Sequence, residues 1–147
     1  MVDMDANRLE VAKTLGATKL VQSNPVEEIM KLTHGNGVDV AIEAVGIRDT
    51  FGICQSIVAP GGHIANIGVH GKSVELHLEK LWSQNVTITT RLVDTVSTPM
   101  LLKSVLSGKL KPRQLITHHF ALKDIMKAYD TFGNAAKEKA IKVIITN

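Results

Sequence analysis

An acidic residue near the start of the chain, Asp3, has the position that most directly suggests a chemical role. Val2 and Asp3 are typical of the last residues of a β-strand, and a helix is predicted to begin shortly afterwards, at Ala6. In dinucleotide-binding folds, an acid at such a place accepts hydrogen bonds from the hydroxyl groups of the adenosine ribose and repels a 2′-phosphate. Asp3 would then favour NAD over NADP. The alternative interpretation is a solvated loop acid beside a helix start.

Two glycines lie at the predicted ends of buried strands, in residues 44–46 and 67–69. Ligands of open parallel α/β sheets bind at the carboxyl ends of the strands, where glycine lets a ligand approach the backbone closely. Both segments are therefore candidates for ligand binding. The alternative is that they are ordinary turns between a strand and a helix.

The glycine-rich turn that would hold a pyrophosphate should lie about 20 residues before Asp3, and the sequence has no residues there. The first strand of the usual order 3-2-1-4-5-6, which occupies the middle of the sheet, is lacking for the same reason. The second and fourth strands would then present unpaired backbone edges. We therefore expect a piece of a longer chain. The alternatives are a rearranged sheet, strand exchange or a partner that fills the gap.

No other pattern of residues indicates a catalytic or metal site. His118 and His119 are adjacent and would point to opposite sides of a strand, and the remaining histidines are scattered. The sequence has no cysteine cluster and no HxxxH spacing. Cys54, the only cysteine, falls at a predicted core position within a helix. We expect no catalytic residue and no metal ligand in this chain.

The composition is typical of a soluble globular protein, with 44% hydrophobic and 21% charged residues. The formal net charge is +3, and the densest basic stretch, residues 109–113, has no aromatic residues that could stack on bases. No stretch approaches the roughly 20 apolar residues of a membrane span, and nothing resembles a signal peptide. We expect a cytoplasmic protein that binds neither nucleic acid nor membrane.

Strands and helices alternate along the chain, a pattern that indicates parallel βαβ units. Helices are predicted at residues 6–15, 25–34, 48–58, 78–84, 98–107 and 122–132. Strands are predicted at residues 2–3, 19–22, 38–44, 63–69, 86–92, 116–120 and 140–146. The fold class that follows is α/β, a Rossmann-type doubly wound parallel sheet that lacks its first strand. We expect residues 1–147 to form one incomplete NAD-binding domain.

Segments along the whole chain resemble one protein family. They are VDMDANRLEVAKTLGAT, GNGVDVAIEAVG, APGGHIANIGVHG and LITHHFALKDIMKAYDTF, closing on KAIKVIIT. They are similar to the zinc-containing medium-chain alcohol dehydrogenases, particularly the bacterial branch. The resemblance covers essentially this entire chain but only about the last two-fifths of a typical family member.

The resemblance implies three polar contacts with the cofactor NAD. Asp3 matches the family's ribose-binding acid, and Arg8 matches the basic residue that lies along the adenosine ribose. Lys142 stands where the family usually has an arginine near the pyrophosphate. A lysine keeps the charge there but loses the planar fork of donors.

The same resemblance implies two backbone contacts with the cofactor. Val45 and Gly46 match the strand end that passes beside the cofactor. Ile67, Gly68 and Val69 match the segment whose backbone meets the nicotinamide carboxamide and its ribose.

The implied parent protein oxidises small-molecule alcohols to aldehydes or ketones, or the reverse, by hydride transfer to NAD. Its zinc would be held by an N-terminal catalytic domain that this sequence does not contain, so we expect the chain alone to be inactive. The alternative is a non-catalytic, self-associating α/β remnant with weak or no nucleotide binding. A methyltransferase-like domain matches residues 67–69 and the C-terminal strand less well. Because the family pairs through edge strands, we also expect a homo-oligomer formed through residues 86–92.

Overall fold

The computed structural model describes residues 1–92 and 96–147, which form alternating helices and strands. The α-helices are α1 (Ala6–Thr14), α2 (Pro25–Leu32), α3 (Arg48–Ile57), α4 (Leu78–Leu81), α5 (Thr98–Leu106), α6 (Ile125–Gly133) and α7 (Ala135–Glu138). The strands are β1 (Val38–Glu43), β2 (Val58–Asn66), β3 (Thr87–Thr90), β4 (Ile116–Ala121) and β5 (Lys142–Thr146). Short 3₁₀ turns occupy Trp82–Gln84, Pro112–Leu115 and Leu122–Asp124. Every strand pairing among these residues is parallel, which confirms the α/β class.

The chain divides into two compact units, and each is described by itself. The first comprises Ser23–Val93, and the second comprises Met1–Gln22 together with Asp94–Asn147. Among the described residues, the predicted sheet is present as one sheet of three strands, one sheet of two strands and an isolated bridge.

The unit Ser23–Val93 is built on a parallel sheet with the order β1-β2-β3. Helix α3 packs on one face of this sheet because Phe51, Cys54 and Ile57 recur at helical spacing and are all buried. They form a core with Ala41, Val58, Ile64 and Leu81. On β1, the buried residues Ala41 and Glu43 alternate with exposed ones, as the two-residue period of a strand requires.

Strand β2 begins earlier than predicted, at Val58 rather than at residue 63, so Pro60, Gly61 and Gly62, which are residue types typical of a turn, lie within the strand. The pairing with β1 shifts its register there: Val38 lies opposite Val58, whereas Val40 lies opposite His63. The three additional residues of β2 interrupt its regular pairing with β1, and the residue types alone do not distinguish such an interruption from a turn before the strand.

Strand β2 also ends earlier than predicted, at Asn66 rather than at residue 69. The next two amides, those of Ile67 and Gly68, both donate to the carbonyl oxygen of Glu43, at 2.8 and 3.1 Å. Two donors on one oxygen bend the chain out of the ladder. The end of β2 is therefore fixed by the end of β1.

The second unit contains the parallel pair β4 and β5, against which α6 packs. The strands predicted at residues 2–3 and 19–22 reduce to one bridge between Val2 and Val21. Its hydrogen bonds run from the Asp3 amide to the Val21 carbonyl and from the Val21 amide to the Met1 carbonyl. Among the described residues, the pairing of these two segments does not extend beyond this bridge.

Strand β3 lies at one edge of its sheet and, among the described residues, pairs only with β2. It is shorter than the predicted strand of residues 86–92 but falls within it. None of the helices in residues 1–92 and 96–147 has the length and apolar character needed to span a membrane.

Candidate functional site

The two glycines predicted at strand ends lie against each other in the unit Ser23–Val93. Gly46 has a φ of +85°, and a Cβ placed on it would lie within 3.0 Å of backbone atoms of Val69. A Cβ placed on Gly68 would overlap the Gly46 backbone and a carboxylate oxygen of Glu43. The ends of β1 and β2 can therefore approach this closely only because both positions lack a side chain.

The carboxylate of Glu43, the last residue of β1, is completely buried beneath these glycines. Its Oε1 atom accepts hydrogen bonds from the amides of Val45 and Gly46, at 2.9 and 2.8 Å, and from the Thr50 hydroxyl at 2.6 Å. Oε2 accepts no hydrogen bond among the described residues. The carboxylate thus holds the turn that leads from β1 into α3.

The pKa of Glu43 lies below its ordinary value of 4.5. Burial raises the pKa of this carboxyl. The hydrogen bonds from Thr50, Gly46 and Val45, together with the charge of His70, lower the pKa by more than burial raises it. The group is therefore ionised in the fold. Its stabilising contribution is present above pH 4.5 and is lost as the pH falls through the folded pKa.

His70 connects the Glu43 carboxylate with the segment that follows β2. Its Nε2 atom lies 2.8 Å from Asn66 Oδ1 and 3.4 Å from Glu43 Oε2. The Phe51 ring contacts the imidazole edge-on, with the ring centres 6.0 Å apart. The imidazole is thereby placed between the ends of two strands.

Neither Glu43 nor His70 is among the residues predicted from the sequence. The one available signal for Glu43 is a charged residue that interrupts the apolar end of VDVAIEAVG, followed by glycine three positions later. His70 gives no comparable signal, because its role depends on contacts with residues from other elements.

The structure brings together the five predicted residues of the strand ends. Gly46 and Gly68 form the close approach, and the side chains of Val45, Ile67 and Val69 are 62%, 55% and 79% exposed. Apolar side chains beside bare backbone form a surface suited to a flat, partly apolar group.

Asp3 and Arg8 lie together in the second unit. Asp3 Oδ1 accepts a hydrogen bond from the Asp5 amide at 2.8 Å, and Arg8 Nε lies 3.4 Å from the same oxygen. Asp5 caps α1 through the amides of Asn7 and Arg8. The cap thereby holds Arg8 beside the carboxylate of Asp3, which is partly exposed.

Lys142 begins β5 in the same unit and is exposed. It borders an open hollow of about 460 Å³, lined mainly by apolar residues of α6 and β5. Among residues 1–92 and 96–147, no described hydrogen bond or ion pair joins Lys142 to Asp3 or Arg8.

Comparison with known proteins adds an independent observation to this geometry. The model of a family described as zinc-binding dehydrogenase matches residues 1–106, well over half of the chain. The chain belongs to the zinc-binding dehydrogenase family.

Individual relatives agree with the family and match nearly the whole chain. An alcohol dehydrogenase of Cupriavidus necator is 32% identical over 98% of this chain and 41% of its own length. The zinc-dependent alcohol dehydrogenase 2 of Streptococcus pneumoniae, in its apo form, is 53% identical, with a TM-score of 0.93 over 100% of this chain and 44% of its own. An alcohol dehydrogenase from Thermus sp. ATN1 is 28% identical, with a TM-score of 0.89. This dehydrogenase chain spans about two-fifths of the length of such relatives.

The described residues of this zinc-binding dehydrogenase chain do not fit a zinc ion. Among the described residues, no group of three or more histidine, cysteine or acidic side chains could hold a metal. Cys54 is buried, at 6% exposure, as predicted. Burial, and then the negative charge of Glu43, raise the pKa of its thiol from 9.0 to about 11, which disfavours the thiolate that would bind a metal or attack a substrate.

The close approach of the two strand ends predicts that Gly46→Ala and Gly68→Ala destabilise the fold by at least about 2 kcal/mol each, because each Cβ meets backbone or buried carboxylate atoms. Gly52→Ala is the matched control. Gly52 lies within α3 with open space around it, so alanine should stabilise by roughly 0.5–1 kcal/mol. Urea unfolding measures all three. Wild-type stability in Gly46→Ala or Gly68→Ala would contradict the described approach.

The raised pKa of Cys54 predicts a loss of stability in alkali. The folded thiol ionises near pH 11 and the unfolded thiol near pH 9.0, so its contribution is fully present below pH 9 and declines between pH 9 and 11. The difference in free energy of unfolding between wild type and Cys54→Ala should fall by about 2–3 kcal/mol across this interval. A difference that is independent of pH would show that the thiol is not shielded.

Proposed function

We propose that this chain is the cofactor-binding portion of an NAD-dependent zinc alcohol dehydrogenase, which oxidises alcohols to aldehydes or ketones. The observation that supports this most strongly is the glycine pair at adjacent strand ends in a member of the zinc-binding dehydrogenase family. The carboxyl ends of parallel strands are where ligands of open α/β sheets bind.

The strand ends would bind the nicotinamide half of NAD. Gly46 and Gly68 keep side chains away from the backbone there, so that amides and carbonyls can meet the carboxamide and ribose. The exposed side chains of Val45, Ile67 and Val69 would pack beside the ring and exclude water. When bound, NAD accepts a hydride from the alcohol carbon. This chain's residues bind and orient the cofactor.

The second unit would contribute to binding the adenosine half. Asp3 would accept hydrogen bonds from the ribose hydroxyls, and the guanidinium of Arg8, already beside that carboxylate, would lie along the ribose. Lys142 would lie near the pyrophosphate as an exposed cation. These three roles follow from the family resemblance and from the charge at each position.

The zinc and the residues that move the proton from the alcohol would belong to a catalytic domain outside these 147 residues, so this chain alone would be inactive. The substrate of the parent would be a small alcohol or carbonyl compound. A cytoplasmic location is part of the same proposal, and it is supported by a single, buried cysteine that cannot form a disulfide within the chain.

Binding of NAD by this chain is tested by titrating NADH and following its fluorescence. We expect binding by wild type in the micromolar to millimolar range, with NADH preferred over NADPH. Asp3→Ala should weaken NADH binding about 10- to 100-fold, because hydrogen bonds to a charged group contribute about 1.5–3 kcal/mol. The same substitution should reduce the preference over NADPH, since it removes the charge that repels the 2′-phosphate.

The matched control is Asp130→Ala, which removes an exposed acid of α6 in the same unit and should leave both affinities unchanged. No binding by wild type at millimolar NADH would contradict cofactor binding by this chain. Equal affinity in wild type and Asp3→Ala would contradict the role of Asp3 alone.

Self-association through β3 is a second proposal, supported by the position of β3 at the edge of its sheet. An edge strand offers backbone donors and acceptors to a second copy of the chain. Light scattering at micromolar concentration should then show a dimer or larger oligomer. Thr87→Lys places a charge at an exposed position of this strand and should yield monomer. A monomeric wild type would contradict association through this edge.

A further inference from the structure

The buried carboxylate of Glu43 has no chemical task in the function proposed above, yet it lies beneath the backbone that would meet the nicotinamide. Its side chain is completely shielded from solvent. Burying an ionised carboxylate is costly unless hydrogen bonds compensate it. The partners that compensate this one are therefore informative about what it does.

Glu43 accepts hydrogen bonds from both segments of the proposed nicotinamide site. Its Oε1 atom accepts from the amides of Val45 and Gly46. Its main-chain oxygen accepts from the amides of Ile67 and Gly68. One residue thus fixes the turn after β1 with its side chain and the segment after β2 with its backbone.

The second carboxylate oxygen adds a connection through His70. Oε2 lies 3.4 Å from His70 Nε2, which itself lies 2.8 Å from Asn66 Oδ1. The amide nitrogen of Asn66 faces the carbonyl of Gly68, at 3.4 Å, and this sets which end of the amide faces the imidazole. Two acceptors then face Nε2, so the proton of the neutral imidazole belongs on Nε2.

We propose that Glu43 and His70 are positioning residues, which hold residues 45–46 and 67–69 at a fixed separation so that their backbone is preorganised for the nicotinamide end of the cofactor. This inference rests on the proposed binding of NAD. The Glu43 carboxylate is completely shielded from solvent, so it acts through the backbone amides that it binds. His70 acts through its contacts with Glu43 and Asn66.

A purely structural role for Glu43 would lower the stability of the whole unit without a selective effect on these two segments. A positioning role predicts a local effect at the two segments and a loss of cofactor affinity beyond the loss of stability. Per-residue amide exchange separates the two, because it reports each hydrogen bond individually.

The experiment compares the 147-residue wild type with three variants, by amide hydrogen exchange and by NADH titration. Glu43→Gln keeps an acceptor for the amides of Val45 and Gly46 but turns a donor towards His70. Thr50→Val removes the hydroxyl that donates to Oε1 and to the Ile47 carbonyl oxygen, and it serves if Glu43→Gln does not fold. Ile57→Val removes one methyl group from the same core and is the control for general loss of stability.

In Glu43→Gln, the amides of Val45 and Gly46 lose their charged acceptor, and the glutamine NH₂ faces the Nε2–H of His70 and disturbs the segment after β2. We therefore expect the amides of Val45, Gly46, Ile67 and Gly68 to exchange at least tenfold faster relative to the amide of Ile64 in the core, and the Kd for NADH to rise at least tenfold. Thr50→Val should accelerate the amides of Val45 and Gly46 but not those of Ile67 and Gly68, because its hydroxyl contacts Oε1 and the Ile47 carbonyl oxygen, both at the turn into α3. Ile57→Val should leave the exchange ratios and the Kd unchanged.

Exchange that rises uniformly in Glu43→Gln, as in Ile57→Val, would overturn the positioning role, and so would a wild-type Kd for NADH. If wild type itself does not bind NADH, the proposed function of the chain fails. The exchange ratios still decide whether Glu43 holds the two segments.

Discussion

The carboxylate of Glu43 is buried where two neighbouring parallel strands end, and the local geometry depends on how its charge is compensated. Three donors saturate Oε1, and two backbone amides bind the main-chain oxygen of the same residue. These bonds determine where β2 stops and how the chain turns from β1 into α3. An apolar residue at this position would leave the turn into α3 without its side-chain acceptor, whereas the main-chain oxygen would still bind the amides of Ile67 and Gly68.

The packing of Glu43 requires glycine at positions 46 and 68. Gly68 has no side chain because Glu43 Oε2 and the Gly46 backbone occupy the place where a Cβ would stand. Gly46 adopts a positive φ, which directs its amide to the carboxylate while its Cα faces the Val69 backbone. The close packing of backbone on backbone at these strand ends thus depends on both glycines and on the buried carboxylate between them.

Much of the fold follows from the sequence, because periodicity and turn residues are local signals. The strand ending at Glu43 and the helix that buries Phe51, Cys54 and Ile57 occur close to where they are predicted. The register of β2 against β1 could not be predicted from the sequence. Residues 60–62 are typical of a turn, but they lie within β2 where its register against β1 shifts. Whether residues 19–22 form a strand depends on neighbours in space, and there the structure has only a bridge at Val21.

The candidate site is predictable only in part, for a similar reason. Asp3, Gly46 and Gly68 could be predicted because an acid or a glycine at the end of a predicted strand is typical of a cofactor site. His70 acquires its role only through Asn66 and Glu43, which belong to the two strands that the fold brings side by side. A charged residue in an apolar strand, such as Glu43, can be recognised in the sequence. Its hydrogen-bonding partners are known only from the structure.

In the proposed function, the strand ends of the unit Ser23–Val93 form the nicotinamide side of a cofactor site. The most direct test is a titration of the ¹⁵N-labelled chain with NADH and, separately, with AMP, which lacks the nicotinamide, while the amide signals of Gly46 and Gly68 are followed by NMR. We expect both signals to shift with NADH and to stay in place with AMP. Signals that do not move at millimolar NADH, or that move equally with AMP, would contradict it.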